Sequence, residues 1–421
     1  MTILLDLDGT LTDTVHDRFE PYKTDKENTI LADIAPYAGA VDFVNRLRAM
    51  GHNVFIITNS NRKYAETVRT LFGIEALPLA DKPNKTKTVD FIRQKVGNIS
   101  FPDDAIVIGD TSKDIMLGRA LNCPTVWLTL YPFSYERRHD GAGDFSTALK
   151  SGATFRAHSY SEVLEILGNI YEHLYAIEAV ISGSSSTRSI RIKKITFPDK
   201  FVAYRSLGRQ QGGEADRHAV IAQYKELHDE NRTKETLNDL SIAMTNYLDH
   251  VVTSYPQVQW DFITYVADKA TTTPPNKMGE FFDLIKTPIK KEKLILWHPD
   301  VDGSIKTRKD RASRIEFVSK YTYLNQEQDL KGKNIIIVDD QYTTGGTAAA
   351  IVSKFHDAGA KNVLFVTLFY LITTVMSDKV CPRCGQTLER KTRKKDYKDF
   401  LSCTPPEFRG NGCGYAENIE E

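Results

Sequence analysis

Three times in this chain a short apolar run ends in carboxylates. Ile3-Leu4-Leu5 runs into Asp6-Leu7-Asp8-Gly9, Ile106-Val107-Ile108 into Gly109-Asp110, and Ile335-Ile336-Ile337-Val338 into Asp339-Asp340. A continuous apolar run suits a strand buried on both faces, the strand of a parallel sheet covered by helices. Acids at its end then sit at the carboxyl edge, where open α/β sheets form their ligand sites. The surrounding chain keeps this rhythm. Strands are expected at Thr2–Leu7, His52–Thr58, Asp104–Gly109 and Pro124–Leu128, with helices over Gly39–Met50 and Asn61–Phe72. After a helical stretch near Asp216–Thr253, strands return at Trp260–Val266, Lys293–Trp297, Lys333–Val338 and Asn362–Phe369. The fold class is α/β, twice over.

A length of 421 residues suits two or three domains. Ser182-Gly183-Ser184-Ser185-Ser186 is the strongest linker signal. The expected division is a first α/β domain over 1–175, a linker over 176–192, a second α/β domain over 193–376 and a small module over 377–421. Lys plus Arg and Asp plus Glu number 55 each, so no global basic field draws the chain to nucleic acid. The chain opens on a strand-like run rather than a signal peptide, and no run reaches the roughly 18 apolar residues of a membrane span. Four of the five cysteines lie past residue 380, which argues for a metal site in a reducing compartment. The expected location is the cytoplasm, with no membrane partner.

Asp6 and Asp8, two apart on a strand, project to the same side. Such crowding calls for a cation, usually Mg²⁺. Asp110 ends another strand, and Asp114 follows one helical turn later. The second strand ends in Thr58-Asn59, and Lys82-Pro83 precedes another helix. An Asp nucleophile, a metal, a hydroxyl donor and a lysine are what phosphoryl transfer through an aspartyl-phosphate needs.

The motifs Asp6-x-Asp8-Gly9-Thr10, Thr58-Asn59, Lys82 and Gly109-Asp110-x-x-x-Asp114 resemble, in that order, the haloacid dehalogenase (HAD) phosphohydrolase superfamily. The resemblance implies a HAD-type Rossmann-like domain with Asp6 as nucleophile and Asp8 as general acid/base. Asp110 and Asp114 would help Asp6 and Asp8 hold Mg²⁺, and Thr58 and Lys82 would clamp the phosphoryl oxygens, with Asn59 beside Thr58 in the catalytic set. Lys85 and Lys87 rival Lys82 for the lysine role. The bland alternatives are a polar strand end and an inactive copy. The short spacings leave room only for a small flap over residues 13–36, which suits a bulky substrate or a lid from another domain.

In the second domain, Asp339-Asp340-Gln341-Tyr342-Thr343-Thr344-Gly345-Gly346-Thr347 runs from a strand into a helix. Backbone N–H groups, hydroxyls and a helix N-terminus make an anion cradle, and two acids beside it suit the vicinal hydroxyls of a sugar phosphate. The stretch resembles the phosphoribosyl pyrophosphate (PRPP) signature of type I phosphoribosyltransferases, nearest the competence-protein-F-like branch. The resemblance implies that Asp339 and Asp340 bind the ribose hydroxyls and that Thr343, Thr344, Gly345, Gly346 and Thr347 bind the 5′-phosphate. Lys269, in Asp268-Lys269-Ala270-Thr271, falls where the family binds pyrophosphate. Lys306, Arg308, Lys309 and Arg311 fall on its flexible closing loop. The implied reaction displaces pyrophosphate at C1′ by a nitrogen nucleophile, with Mg²⁺ offsetting charge on the leaving group. The rival is a sensor that binds PRPP without transferring it.

Cys381-x₂-Cys384 and Cys403-x₉-Cys413 suit tetrahedral structural Zn²⁺, and the tail looks like a zinc ribbon. Redox chemistry is the main rival, and Cys123 reads as a buried residue. Arg390-Lys391-Thr392-Arg393-Lys394-Lys395 reads as a solvated hairpin face, with nucleic-acid contact as the sharper alternative. The expectation is a bifunctional enzyme acting on phosphorylated metabolites and PRPP, in steps that yield a nucleoside-like product. Such fusions resemble proteins of bacterial stress and defence loci. The rival is a PRPP-sensing nucleic-acid-binding effector that trims terminal phosphates. Homodimerisation is an expectation of the transferase resemblance alone.

Overall fold

The apolar runs form strands at the centres of two sheets. The structure is a computed structural model describing residues 1–78, 86–131, 145–210, 216–301, 303, 305, 308, 311–325, 327–372, 375–383, 387–392, 399–403 and 414–419. The first sheet comprises β1 (Thr2–Asp6), β2 (Asn53–Thr58), β3 (Glu75–Pro78), β4 (Ala105–Gly109), β5 (Thr125–Leu128) and β6 (Phe155–Ala157). Its order is β3-β2-β1-β4-β5-β6, parallel throughout. All of β1 is buried because side chains alternate between two covered faces. Ile3 and Leu5 enter one apolar core, and Leu4 enters another with Ile57 and Val107. Each such side chain contributes about 1.5–3 kcal/mol.

The second sheet comprises β7 (Ile190–Thr196), β8 (Phe201–Gln210), β9 (Phe262–Tyr265), β10 (Lys290–Lys291), β13 (Asn334–Tyr342) and β14 (Asn362–Leu371). Its order is β10-β9-β13-β14-β8-β7, parallel except for the β7–β8 hairpin. β13 divides as β1 does: Ile336 and Val338 face one core, Ile335 and Ile337 the other. β11 (Ile295–Trp297) and β12 (Thr322–Leu324) pair separately. In the tail, β15 (Val375–Val380), β16 (Thr387–Thr392), β17 (Asp399–Cys403) and β18 (Ala416–Asn418) form an antiparallel sheet. Among the described residues, no helix is long and apolar enough to cross a membrane.

Three expectations change. β8 lies beside β14, although polar Arg205, Ser206 and Arg209 interrupt its apolar pattern. Residues 176–192, expected as a linker, hold the helix Ala176–Ile181, whose Ala176 and Ile177 join the second domain's core. Buried Ser186 donates to the Leu174 carbonyl at 2.8 Å, so the Ser/Gly run is a fastened turn. The single helical stretch near 216–253 is two helices, Ala219–Leu227 and Lys234–Ser254. Thr233 caps the second, accepting from Thr236 N.

One buried ion pair joins the α/β domains, and a second buried arginine crosses to a backbone carbonyl of the first domain. Arg119, at the end of the helix Ser112–Leu121, donates to Asp216 at 2.9 and 3.2 Å, with both side chains 1 % exposed. Arg209 on β8 pairs with Glu178 at 3.0 Å and donates to the Thr154 carbonyl at 2.8 Å. Asn122 Oδ1 accepts from Ala219 N at 2.7 Å.

Two candidate active sites

The parallel register of β1, β2 and β4 brings their carboxyl ends together. Asp6 ends β1, Asp110 follows β4, and Asp114 lies in the first turn of the next helix. All three are buried, and each offers a carboxylate oxygen within 4.8 Å of the others. Two glycines permit this crowding. A Cβ on Gly9, at φ +87°, would lie 2.3 Å from Asp110 Oδ2, and one on Gly109 would lie 2.2 Å from Asp114 Cγ. Asp114 Oδ2 is fixed by Thr111 N and Oγ1 at 3.0 and 2.7 Å, while Tyr131 Oη donates to Asp110. An all-oxygen, multiply anionic donor set fits a hard divalent cation such as Mg²⁺.

Asp8 stands apart from that cluster. It accepts from Thr14 at 2.6 Å, Tyr64 at 2.7 Å and Ser60 at 2.8 Å, with Lys23 Nζ at 3.4 Å. Burial pushes its pKa up, but the Lys23 charge and these donors outweigh burial and hold it below the ordinary value. Thr58 is buried at the end of β2, with Oγ1 3.5 Å from Asp8, and Asn59 is exposed beside it. Residues 13–36 carry the short helical turns Asp17–Phe19 and Leu31–Asp33 and the helix Glu20–Lys23. Lys82 and Lys85, and the side chain of Lys87, lie outside the described residues.

The second site surrounds the carboxyl ends of β9 and β13. A cleft of about 490 Å³ is lined by Asp339, Asp340, Thr343, Thr347, Lys269 and Lys277, among others. Asp340 Oδ2 lies 2.6 Å from Lys277 Nζ and 3.1 Å from His228 Nε2. Burial would raise the Asp340 pKa, but Lys277 and His228 hold it well down. Asp339 goes the other way, raised by burial and by the adjacent Asp340 charge. Lys277 also pairs with Asp268 at 3.0 Å, and its pKa is raised because the two acids overcome its burial.

The Thr/Gly loop then enters the helix Gly346–Asp357. Gly345 has φ +75°, and a Cβ there would lie 2.2 Å from the Tyr342 hydroxyl. Thr343 Oγ1 accepts from Arg314 at 2.7 Å, while the buried Thr344 hydroxyl has no partner among the described residues. That hydroxyl lies in the loop just ahead of the helix N-terminus, where the sequence reading expects an anion cradle. Lys269 donates to the Gly303 carbonyl at 2.7 Å and covers the rings of Trp297 and Phe317.

Comparison with known proteins supports both readings. A haloacid dehalogenase-like hydrolase family matches residues 18–122, and a phosphoribosyl transferase domain family matches 299–407. The chain joins a HAD-family hydrolase domain to a phosphoribosyltransferase domain. Both are enzyme domains. Similar solved structures include a HAD family hydrolase from Deinococcus radiodurans R1 with bound phosphate and sodium. It is 18 % identical, covering 40 % of this chain and 94 % of its own, with TM-score 0.30. A hydrolase from Pseudomonas syringae is 19 % identical over 40 % of this chain and 99 % of its own, TM-score 0.31. A predicted phosphoglycolate phosphatase from Haemophilus somnus is 16 % identical over 39 % and 97 %, TM-score 0.30. No curated protein matches the sequence.

Several neighbours escaped the sequence reading. In the hydrolase domain these are Lys23, Ser60, Tyr64 and Tyr131. Ser60 and Tyr64 stand four apart at a helix start, the only local signal among them. In the transferase domain, His228 and Lys277 reach Asp340 from far away in sequence. In the tail, Cys381 and Cys403 are buried in one cluster with Leu388 and Leu401. Cys384, Cys413 and Arg393, Lys394 and Lys395 lie outside the described residues. Cys123 is fully buried, its thiol pushed up to about 12 by burial.

Proposed function

We propose that the chain is a bifunctional enzyme whose transferase product feeds its phosphatase. The carrying observation is the presence of two separate carboxylate constellations, each at the carboxyl edge of its own parallel sheet. In the hydrolase site, the Asp6 carboxylate attacks phosphorus, and the ester oxygen leaves with a proton from Asp8. Asp8 then takes a proton from water, which hydrolyses the aspartyl-phosphate and frees Asp6. A phosphate dianion arriving beside Asp8 raises its proton affinity, which offsets the pull of Lys23. Asp6, Asp110 and Asp114 would hold Mg²⁺, and the ion supplies positive charge against the phosphoryl oxygens. Thr58, Asn59 and Lys82 serve those oxygens.

In the transferase site, Asp339 and Asp340 hold the ribose hydroxyls of PRPP, and Thr343–Thr347 hold its 5′-phosphate. A nitrogen nucleophile bonds to C1′ and loses its proton as the C1′–O bond to pyrophosphate breaks. Lys269 faces the leaving pyrophosphate. The product retains a 5′-phosphate, the group that the hydrolase domain removes. Cys381, Cys384, Cys403 and Cys413 hold structural Zn²⁺, and the basic run beside them offers a nucleic-acid contact. The direct test is p-nitrophenyl phosphate hydrolysis with Mg²⁺, alongside pyrophosphate release from PRPP with a panel of nucleobases. Asp6→Asn abolishes only the first activity and Asp339→Asn/Asp340→Asn only the second. Loss of both activities in either variant contradicts separate sites.

A further inference from the structure

The second sheet has a cleft at its other end. The transferase loops leave the carboxyl ends of β9 and β13, whereas this cleft opens at the amino ends of β8 and β14, beneath the helix Lys234–Ser254. Its volume is about 450 Å³, within the range of small-molecule sites. Two kinds of side chain line it.

The first kind is aromatic. Phe201 and Trp260 stand edge to face at 6.3 Å, with Tyr247, Tyr255 and Phe197 completing the wall. Trp260 is 8 % exposed, and its indole N–H has no partner among the described residues. The second kind is cationic: Lys194, Lys200, Lys361 and Arg205. Lys194 covers the Phe201 ring at 5.2 Å, and Lys200 lies 2.8 Å from His356 Nε2. Arg205 is half-buried. Its guanidinium donates to the Tyr204 carbonyl at 3.0 Å, and no carboxylate among the described residues pairs with it. Burial pulls its pKa down, the mark of a guanidinium without a counterion. Against these four cations stand Asp199 and the carboxyl end of the covering helix.

A planar apolar wall with a donor in it, beside Arg205 and Lys361, which no carboxylate pairs among the described residues, suits a ligand that is aromatic at one end and anionic at the other. We infer that this cleft binds a nucleoside diphosphate or monophosphate: the base stacks among Trp260, Phe201 and the tyrosines, and the phosphates meet Arg205 and Lys361. The site is separate from the transferase cleft, and the inference does not depend on which reaction that cleft performs. β8, β9 and β14 run between the two ends, so occupancy here bears on the strands that carry the transferase loops.

The test is calorimetric titration of ADP into the full chain carrying Asp339→Asn/Asp340→Asn, which disables the ribose contacts of the transferase cleft. Lys361→Glu, on an exposed side chain, and Arg205→Gln are added separately. The expected result is one ADP per chain, weakened about tenfold or more by either substitution. Inorganic pyrophosphate binds about tenfold more weakly than ADP, because it lacks the base. No ADP binding in the Asp339→Asn/Asp340→Asn chain overturns the proposal, as does ADP binding indifferent to Lys361→Glu. Pyrophosphate binding as tight as that of ADP overturns the nucleotide assignment.

Discussion

Asp8 shows how one residue's surroundings set its chemistry. Three hydroxyl donors and one ammonium surround it, so its resting form is the carboxylate. Its folded pKa lies below the unfolded value of 3.8. The stabilisation this brings is present above the unfolded pKa and is lost as pH falls through the folded one. Tyr64→Phe removes a buried donor to this charge and is expected to cost about 1.5–3 kcal/mol at neutral pH. Urea titration at pH 7 and pH 3 checks this, with a smaller difference at the lower pH. Asp8→Asn is expected to lower the phosphatase kcat about 10²–10⁴-fold. Lys277 is the counterpart in the transferase domain. Lys277→Met leaves Asp268 and Asp340 facing each other without their shared cation. A loss of about 3–5 kcal/mol in chemical denaturation at pH 7 is expected. A loss below 1 kcal/mol would show that the two acids do not depend on it.

At the scale of elements, the helix Ser112–Leu121 belongs to both domains. Asp114 in its first turn joins the carboxylate cluster, and Arg119 in its last turn reaches Asp216. The chain then runs from Asp216 into the helix Ala219–Leu227, and His228 at its end touches Asp340. Arg119→Met strands Asp216 in the interface and is expected to destabilise by about 3–5 kcal/mol. Adding Asp216→Leu is expected to recover most of that loss, since paired removal leaves no buried charge. A denaturation series over the native chain, Arg119→Met, Asp216→Leu and the double variant measures it. The sequence pattern shows elements such as β1, β4, β13 and β14 because both faces of each are apolar. It hides β8, because Arg209 is buried against Glu178 and reads as a surface residue until its partner is known. Gly345 is legible because its need is local, a positive φ with the Tyr342 hydroxyl against it, whereas the close approach at Gly346 is to Arg314 and is not. His228 and Lys277 were not, because their contacts with Asp340 are made only by folding.

Across the whole molecule, the ion pair Arg119–Asp216 and the bond from Arg209 to the Thr154 carbonyl hold the hydrolase and transferase domains together. Scanning calorimetry is expected to show both unfolding in one transition, with Arg119→Met splitting it into two. The central claim is that the two sites act in sequence on one molecule. Phosphorus NMR of the full chain with Mg²⁺, PRPP and a nucleobase mixture tests it most directly. Pyrophosphate and then inorganic phosphate should appear, both dependent on a base. Asp6→Asn should halt the course at a phosphorylated nucleotide product, and Asp339→Asn/Asp340→Asn should leave PRPP without base-dependent change. A nucleotide that accumulates with native protein and is never dephosphorylated would contradict the account.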